Sequence, residues 1–172
     1  RGQVLQDLLW ERDGFCASAS NPLLRVSVAQ KLGGYDPDVK TGEDFHFYLR
    51  LSREWLIEFT RELVVSVRQH DGPRLFGASD ERIRTEQRVL QEFADVMAPA
   101  LRARYLKKIG GKHVRMGNGR EGRRVLCQAI ALSPLDGEAW GQLAVSFLGK
   151  KTYTRAHDWV LAAKRRRFLT ST

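Results

Sequence analysis

The residues best suited to chemistry in this chain are two adjacent carboxylates, Glu43 and Asp44, at the predicted start of a helix. A carboxylate can act as a general base when it is ionised and well oriented. The positive end of the helix dipole and the free amides of the first turn favour both conditions. Because Asp and Glu are also common near helix starts as caps, the pair leaves a catalytic and a structural interpretation open.

The carboxylate pair lies within an ordered series of short motifs. A predicted helix ends at Leu32-Gly33-Gly34-Tyr35-Asp36, and a turn leads to Gly42-Glu43-Asp44-Phe45. The next predicted helix carries Arg50-Leu51, and a predicted strand ends at Val67-Arg68-Gln69-His70. In this order and spacing, residues 3–75 resemble the second half of a family 2 glycosyltransferase domain of the GT-A fold.

This resemblance implies an inverting transfer of sugar from a nucleotide-sugar donor to an acceptor hydroxyl group. Asp44 matches the position of the catalytic base, and Glu43 would orient a neighbouring group or the acceptor. Arg68 and His70 match positions near the donor diphosphate, where a guanidinium can pair with phosphate and a neutral imidazole can bind a metal ion. His70 is therefore also a candidate metal ligand.

The same resemblance implies Mg²⁺ or Mn²⁺ as a cofactor, held by an Asp-x-Asp motif in a nucleotide-binding half that has no match in this chain. Asp36-Pro37-Asp38 has the letters of that motif, but its proline and its place after Gly33-Gly34-Tyr35 predict a turn. We therefore expect a fragment of a longer protein, inactive in sugar transfer without the missing N-terminal half.

The predicted fold class is α+β (partial α/β), with the C-terminal half of a GT-A-type domain at 1–75 and a basic α-helical extension at 76–172. Hydrophobic spacing predicts the elements of each region. In the first region, a buried strand or tight crossing is expected at 15–20, strands at 55–59 and 63–67, and helices at 4–10, 45–54 and from Asn21-Pro22 to residue 32. In the second, helices are expected at 79–97, 100–109, 123–132, 137–148 and 153–163. Gly110-Gly111 predicts a helix end, followed by a loop as far as Gly122.

One pattern in the second region is typical of a helical repeat. Ala129-Ile130, Pro134, Ala139-Trp140 and Leu143-Ala144 resemble one inter-helix junction of a tetratricopeptide repeat. A chance helical hairpin explains the pattern equally well, because stable stacks need about three repeats.

The formal charge of +9 is unevenly divided along the chain. Residues 1–80 carry 10 Lys and Arg against 12 Asp and Glu, whereas residues 81–172 carry 19 against 8. Clustered cations can attract nucleic acid or an anionic membrane surface, and they can equally form a solvated helix surface. The candidate cations are Arg102, Arg104, Lys107, Lys108, Lys112, Arg115 and the run at 164–167.

Two functions of the helical region therefore stay open beside sugar transfer. It can be a protein-interaction module or a basic nucleic-acid-binding fragment. Nucleic acid is the less expected partner, because no helix-turn-helix, finger or stacking-aromatic signature accompanies the charge.

The cysteines and the apolar runs predict the compartment. Cys16 and Cys127 are far apart and have no partner at metal-ligand spacing, which is not typical of a disulfide framework or a zinc site. No leader is visible, and no apolar run approaches the roughly 18 residues that span a bilayer. We expect a cytoplasmic protein, at most peripheral to a membrane.

Overall fold

The computed structural model describes residues 4–11, 22–58, 62, 66 and 80–169, with side chains as far as residue 163. The chain divides into two compact units, Arg1–Gly77 (unit 1) and Ala78–Thr172 (unit 2). Within the described part of unit 1 the helices are α1 (Leu5–Trp10), α2 (Val26–Lys31) and α3 (Glu43–Glu54). Within that of unit 2 they are α4 (Asp80–Glu92), α5 (Pro99–Met116), α6 (Gly119–Leu132), α7 (Gly137–Ser146) and α8 (Lys150–Leu169).

Unit 1 is organised around α3. This helix packs against α1, and both bury apolar side chains that recur at helical spacing. The buried apolar residues are Leu8 and Leu9 of α1 and Phe47, Leu49 and Leu51 of α3. Trp55 follows the last residue of α3, and its ring centroid lies 5.3 Å from Nζ of Lys31 at the end of α2. Both neighbouring helices are thus attached to α3.

The turn after α2 is held by a side chain of α3. Gly33 and Gly34 have φ angles of 73° and 68°, a left-handed backbone that glycine adopts without steric cost. Arg50 donates from Nη1 to the carbonyl oxygen of Leu32 at 3.0 Å and from Nη2 to that of Gly34. Carbonyls at a helix end need such partners from outside the helix. Arg50 therefore joins the end of α2 to α3.

Unit 2 is built around a hairpin of α5 and α6. Gly117, with a φ angle of 101°, ends α5, and α6 begins two residues later. The helices approach most closely at two buried glycines, Gly110 and Gly122. A Cβ on Gly122 would lie 2.5 Å from Cγ2 of Val114 and 2.8 Å from the carbonyl oxygen of Gly110. The two backbones can meet because both positions lack a side chain.

The other helices of unit 2 pack on this hairpin through two apolar clusters. The first attaches α4 and contains Ile83, Ile109 and Val125, with Leu90, Leu106 and Met116 packed against it. The second attaches α7 and α8 and contains Val114, Leu126 and Tyr153, with Leu143 and Val145 packed against it. Farther along α8, residues 158–162 are all exposed.

The predicted α+β fold is wrong. The described residues contain no β-strand: residues 55–58 form none beyond a single bridge position at Ile57. Trp55 packs against Lys31 of α2, and Leu56 is 70% exposed. The strand predicted at 15–20 and most of that at 63–67 lie outside the described residues.

The GT-A resemblance is therefore wrong as well. A GT-A domain needs a central sheet, whereas the described part of unit 1 is organised by helices around α3. The motifs do lie together in the structure, but what they form is a contact between the end of α2 and α3. Arg50 of α3 binds the turn at Gly33-Gly34. The spacing of the motifs reflected this local packing.

The helix boundaries in unit 2 also differ from prediction. α5 continues through Gly110-Gly111, where an end was predicted, because these glycines face other helices. Most of the predicted loop at 112–122 is helical, and α8 extends beyond the predicted 153–163 at both ends. The helices predicted at 4–10, 45–54 and 137–148 are confirmed, with differences of one or two residues at their ends.

Among the described residues, no helix combines the length and the apolar character needed to cross a membrane.

Candidate binding groove

The predicted site residues divide into a pair that the structure places and a pair that it does not describe. Glu43 and Asp44 are the first two residues of α3. Oδ1 of Asp44 accepts a hydrogen bond from the amide of Phe45 at 2.7 Å, and Glu43 is exposed. Arg68 and His70 lie outside the described residues. The described contact of Asp44 is one that satisfies a free amide of the first helical turn.

The Mg²⁺ or Mn²⁺ implied by the resemblance does not fit Asp36-Pro37-Asp38. Oδ1 of Asp36 accepts a hydrogen bond from the amide of Asp38 at 2.9 Å. The amide of Val39 donates to the carbonyl oxygen of Asp36 at 3.1 Å. These contacts close a turn, as the proline predicted, and they direct the Asp36 carboxylate toward its own backbone.

A concentrated set of cations lies along one side of α5. Its members recur at intervals of one, three or four residues, which places them on a shared helix face. We call this the basic face: Arg104, Lys107, Lys108, Lys112 and Arg115. The basic face lines a groove of about 320 Å³ between α5, α7 and α8. The groove lining includes a single carboxylate, that of Glu138.

Two carboxylates at the start of α7 hold Lys107 of the basic face. Nζ of Lys107 lies 2.7 Å from Oδ2 of Asp136 and 3.0 Å from Oε2 of Glu138. Asp136 also caps α7, accepting a hydrogen bond from the amide of Ala139 at 3.1 Å. Burial by itself would raise the pKa of Asp136, but Lys107 and the amide together hold that pKa below its usual value. The ionised carboxylate therefore ties α7 to α5.

A carboxylate of α4 approaches the basic face from another helix. Glu86, which is buried, pairs with Lys112 and lies 3.8 Å from Nζ of Lys108. Burial lowers the pKa of Lys112, and the attraction of Glu86 opposes this effect. Because unpairing either partner would leave a poorly solvated charge, Lys112 is fixed in position.

Tyr153 of α8 and Gln142 of α7 form the neighbouring wall of the groove. The Tyr153 hydroxyl donates to Oε1 of Gln142 at 2.8 Å, and burial raises the pKa of Tyr153 to about 12. This contact lies directly over Gly111, where a Cβ would be 2.8 Å from the hydroxyl oxygen. The glycine therefore makes room for the contact that links α7 and α8 to α5.

His157 completes this wall beside Arg115. Nη1 of Arg115 lies 3.1 Å from Nε2 of His157. The same guanidinium nitrogen lies 3.4 Å from Nδ1 of His157, and this Nδ1 lies 3.4 Å from Oδ1 of Asp158. The His157 ring thus lies against the last cation of the basic face.

This arrangement can bind an anionic ligand in a preformed cleft. Five cations stand along one wall, and partners from three other helices fix several of them. Cations whose positions are already fixed lose less side-chain freedom when a ligand binds.

These cations are visible in the sequence, but the groove is not. Arg102, grouped with them, is exposed and is not among the lining residues. Side chains of the run at 164–167 are outside the described part of the chain. The helical spacing of the basic face is visible in the sequence, but a helix end predicted at Gly110-Gly111 cut the face in two. Gln142, Tyr153 and His157 carry no comparable signal.

A comparison of the chain with protein-family models, curated proteins and solved structures finds no match to any of them. Neither the glycosyltransferase nor the tetratricopeptide resemblance gains support from it. The function must therefore be argued from the groove itself.

Proposed function

We propose that unit 2 is a helical protein-interaction module, and that its groove binds an acidic segment of a partner protein. The observation that carries this proposal is the basic face on one wall of a 320 Å³ groove, where five cations outnumber the three carboxylates that lie within 4 Å of them among the described residues, those of Glu86, Asp136 and Glu138. Charge complementarity of this kind speeds encounter and selects partners of the opposite sign.

The shape of the site favours a protein segment over nucleic acid. The cations stand inside a cleft between three helices, and the Tyr153 ring within it is only 2% exposed. Single-stranded nucleic acid is typically bound by aromatic rings that are accessible for stacking on bases. A peptide can place successive carboxylates against the cations without such a platform.

Sugar transfer is not part of this proposal. Catalysis by Asp44 and Glu43, a nucleotide-sugar donor and a metal cofactor all depended on the GT-A resemblance. The anionic membrane surface was expected from charge alone and stays a prediction.

The proposal can be tested by fluorescence anisotropy with a labelled peptide of alternating Glu and Ser. We expect the full chain to bind it at low salt, and to bind it more weakly as salt screens the charges. The matched Lys and Ser peptide should not bind. An oligonucleotide of equal charge that binds more tightly than the Glu peptide would overturn the proposal in favour of nucleic acid.

A pair of charge-reversed variants locates the binding. Arg104→Glu with Lys108→Glu changes the basic face, whereas Arg120→Glu with Arg124→Glu makes the same change of charge on α6, outside the groove. We expect the first pair to weaken peptide binding by about tenfold or more and the second to have a much smaller effect. Equal losses would show that net charge binds the peptide and would contradict a defined groove.

A further inference from the structure

An apolar pocket of about 270 Å³ adjoins the groove between α7 and α8. The pocket and the groove share a wall, which is formed by Glu138, Gln142, Tyr153, His157 and Val160. The rest of the pocket lining consists of Gly141, Val145 and Ala156, which carry no polar side-chain atom. A ligand on the basic face therefore lies next to an apolar hollow.

Small residues keep this pocket open. A Cβ on Gly141 would meet nothing within 4 Å, so α7 presents bare backbone to the hollow. Ala156 contributes a methyl group from α8, and Val160 is 37% exposed although it is apolar. A single buried water molecule needs a cavity of roughly 15 Å³. The pocket, at about 270 Å³, is large enough for a bulky side chain.

We infer that the pocket binds one bulky apolar side chain, such as Leu or Phe, from the same acidic segment that binds the basic face. This inference rests on the proposed function and narrows it: the partner segment is amphipathic, with an apolar anchor a few residues from its carboxylates. The charge of the groove selects the acidic residues, and the apolar lining of the pocket selects the anchor.

The shared wall explains why both features belong to one ligand. The hydroxyl of Tyr153 contacts Gln142, and the His157 ring contacts Arg115. The Glu138 carboxylate, which lies on the same wall, pairs with Lys107. Polar groups between the two hollows are thus satisfied within the protein, and an apolar side chain can pass beside them without leaving them unpaired. Burial of the anchor removes apolar surface of both partners from water, which favours binding independently of salt.

The test compares two labelled peptides that differ at one position. The first is the alternating Glu and Ser peptide, and the second carries Phe in place of its central Ser. We expect the Phe peptide to bind the full chain about tenfold more tightly, and we expect this advantage to persist at high salt. Equal affinities for the two peptides would overturn the inference while leaving the proposed function intact. Absence of binding by either would overturn both.

A filled pocket provides the matched variant. Ala156→Leu places a larger side chain in the pocket, whereas Ala144→Leu adds the same group at an exposed position of α7 outside the lining. We expect Ala156→Leu to abolish the advantage of the Phe peptide and to leave binding of the Glu and Ser peptide unchanged. Ala144→Leu should behave as the original chain. An equal loss in both variants would contradict the pocket as the anchor site.

A measurement on the unaltered chain covers the case in which Ala156→Leu fails to fold. In methyl NMR spectra, the signals of Val145, which lines the pocket but not the groove, should shift on addition of the Phe peptide and stay in place with the Glu and Ser peptide. Shifts confined to methyl groups outside the pocket would overturn the assignment.

Discussion

The two units contain the same dipeptide, Gly-Gly, for opposite physical reasons. Gly33-Gly34 in unit 1 adopts a left-handed backbone, and a Cβ on either residue would meet nothing within 4 Å. Gly110-Gly111 in unit 2 is buried inside a helix, and a Cβ on either would lie 2.8 Å from a side-chain atom of another helix. Unit 1 uses glycine for its backbone freedom, and unit 2 uses it for its lack of volume.

This difference teaches where the weak points of each unit lie. In unit 1 the turn depends on backbone conformation and on the two carbonyl contacts of Arg50. In unit 2 the hairpin depends on contact between backbones, which cannot shift as a flexible side chain can. Substitution of glycine should therefore have unequal effects in the two units.

The largest expected effect is that of Gly122→Ala in unit 2. The new methyl group would lie 2.5 Å from Val114 and 2.8 Å from the backbone oxygen of Gly110. Such overpacking should lower the free energy of unfolding by about 3 kcal/mol. Urea denaturation followed by circular dichroism measures this change.

Gly141→Ala is the control for that experiment. Gly141 also lies within a helix, but open space surrounds its Cβ position. Alanine there should raise stability by about 0.5 kcal/mol, because glycine is the poorer helix former. A loss at Gly141 equal to that at Gly122 would show that helix propensity, and not close packing, decides the result.

A smaller effect is expected for Gly33→Ala in unit 1. Alanine can enter the left-handed region at a cost of about 1 kcal/mol, and the space around the residue is open. Hydrogen-exchange mass spectrometry should show faster exchange in peptides that cover residues 30–50 and unchanged exchange in α5 and α6. Faster exchange in the α5–α6 hairpin would contradict the separation of the two effects.

The smallest effect concerns acid pH. The pKa of Asp136 is lower in the folded state than its usual value of 3.8. The ionised carboxylate therefore stabilises the fold above pH 3.8, and this stabilisation is lost as pH falls through the folded-state pKa. We expect the free energy of unfolding to fall by less than about 1 kcal/mol when Asp136 is protonated. Amides of α7 should exchange faster in this acid range, whereas exchange at the turn of Gly33-Gly34, which Arg50 holds through backbone carbonyls, should not change with Asp136.

Asp136→Asn tests this assignment, because asparagine keeps the helix-capping oxygen but loses the charge that faces Lys107. The variant should be slightly less stable at neutral pH and should lack the acid-dependent step attributed to Asp136. An unchanged step would assign the acid sensitivity to other carboxylates.

Helical spacing predicted part of the fold correctly. The apolar stripes of α1 and α3 follow from local sequence, since they need no knowledge of neighbouring helices. Of the strand predicted at 55–59, the described residues 55–58 form none, and Trp55 there packs on Lys31 at the end of α2. The close packing of Gly110-Gly111 against Leu126 and Tyr153 could not be predicted in this way, because these partners are distant in sequence.

The candidate groove shows the same limit. Its cations are visible as a charged stripe, because all five belong to one helix. The partners that shape it come from α4, α7 and α8, so their roles appear only after the helices pack. For Asp44, the local sequence correctly predicted a position at a helix start. The series of motifs around it wrongly predicted a sheet, which the described residues do not contain.

The short connection between α5 and α6 has a consequence for the folding pathway. Contacts between residues close in the chain form quickly, because little loop entropy is lost in making them. We expect the α5–α6 hairpin to be structured in the folding transition state, with α8 docking after it. Gly122→Ala should then slow folding, whereas Tyr153→Phe, which removes the contact with Gln142, should mainly accelerate unfolding.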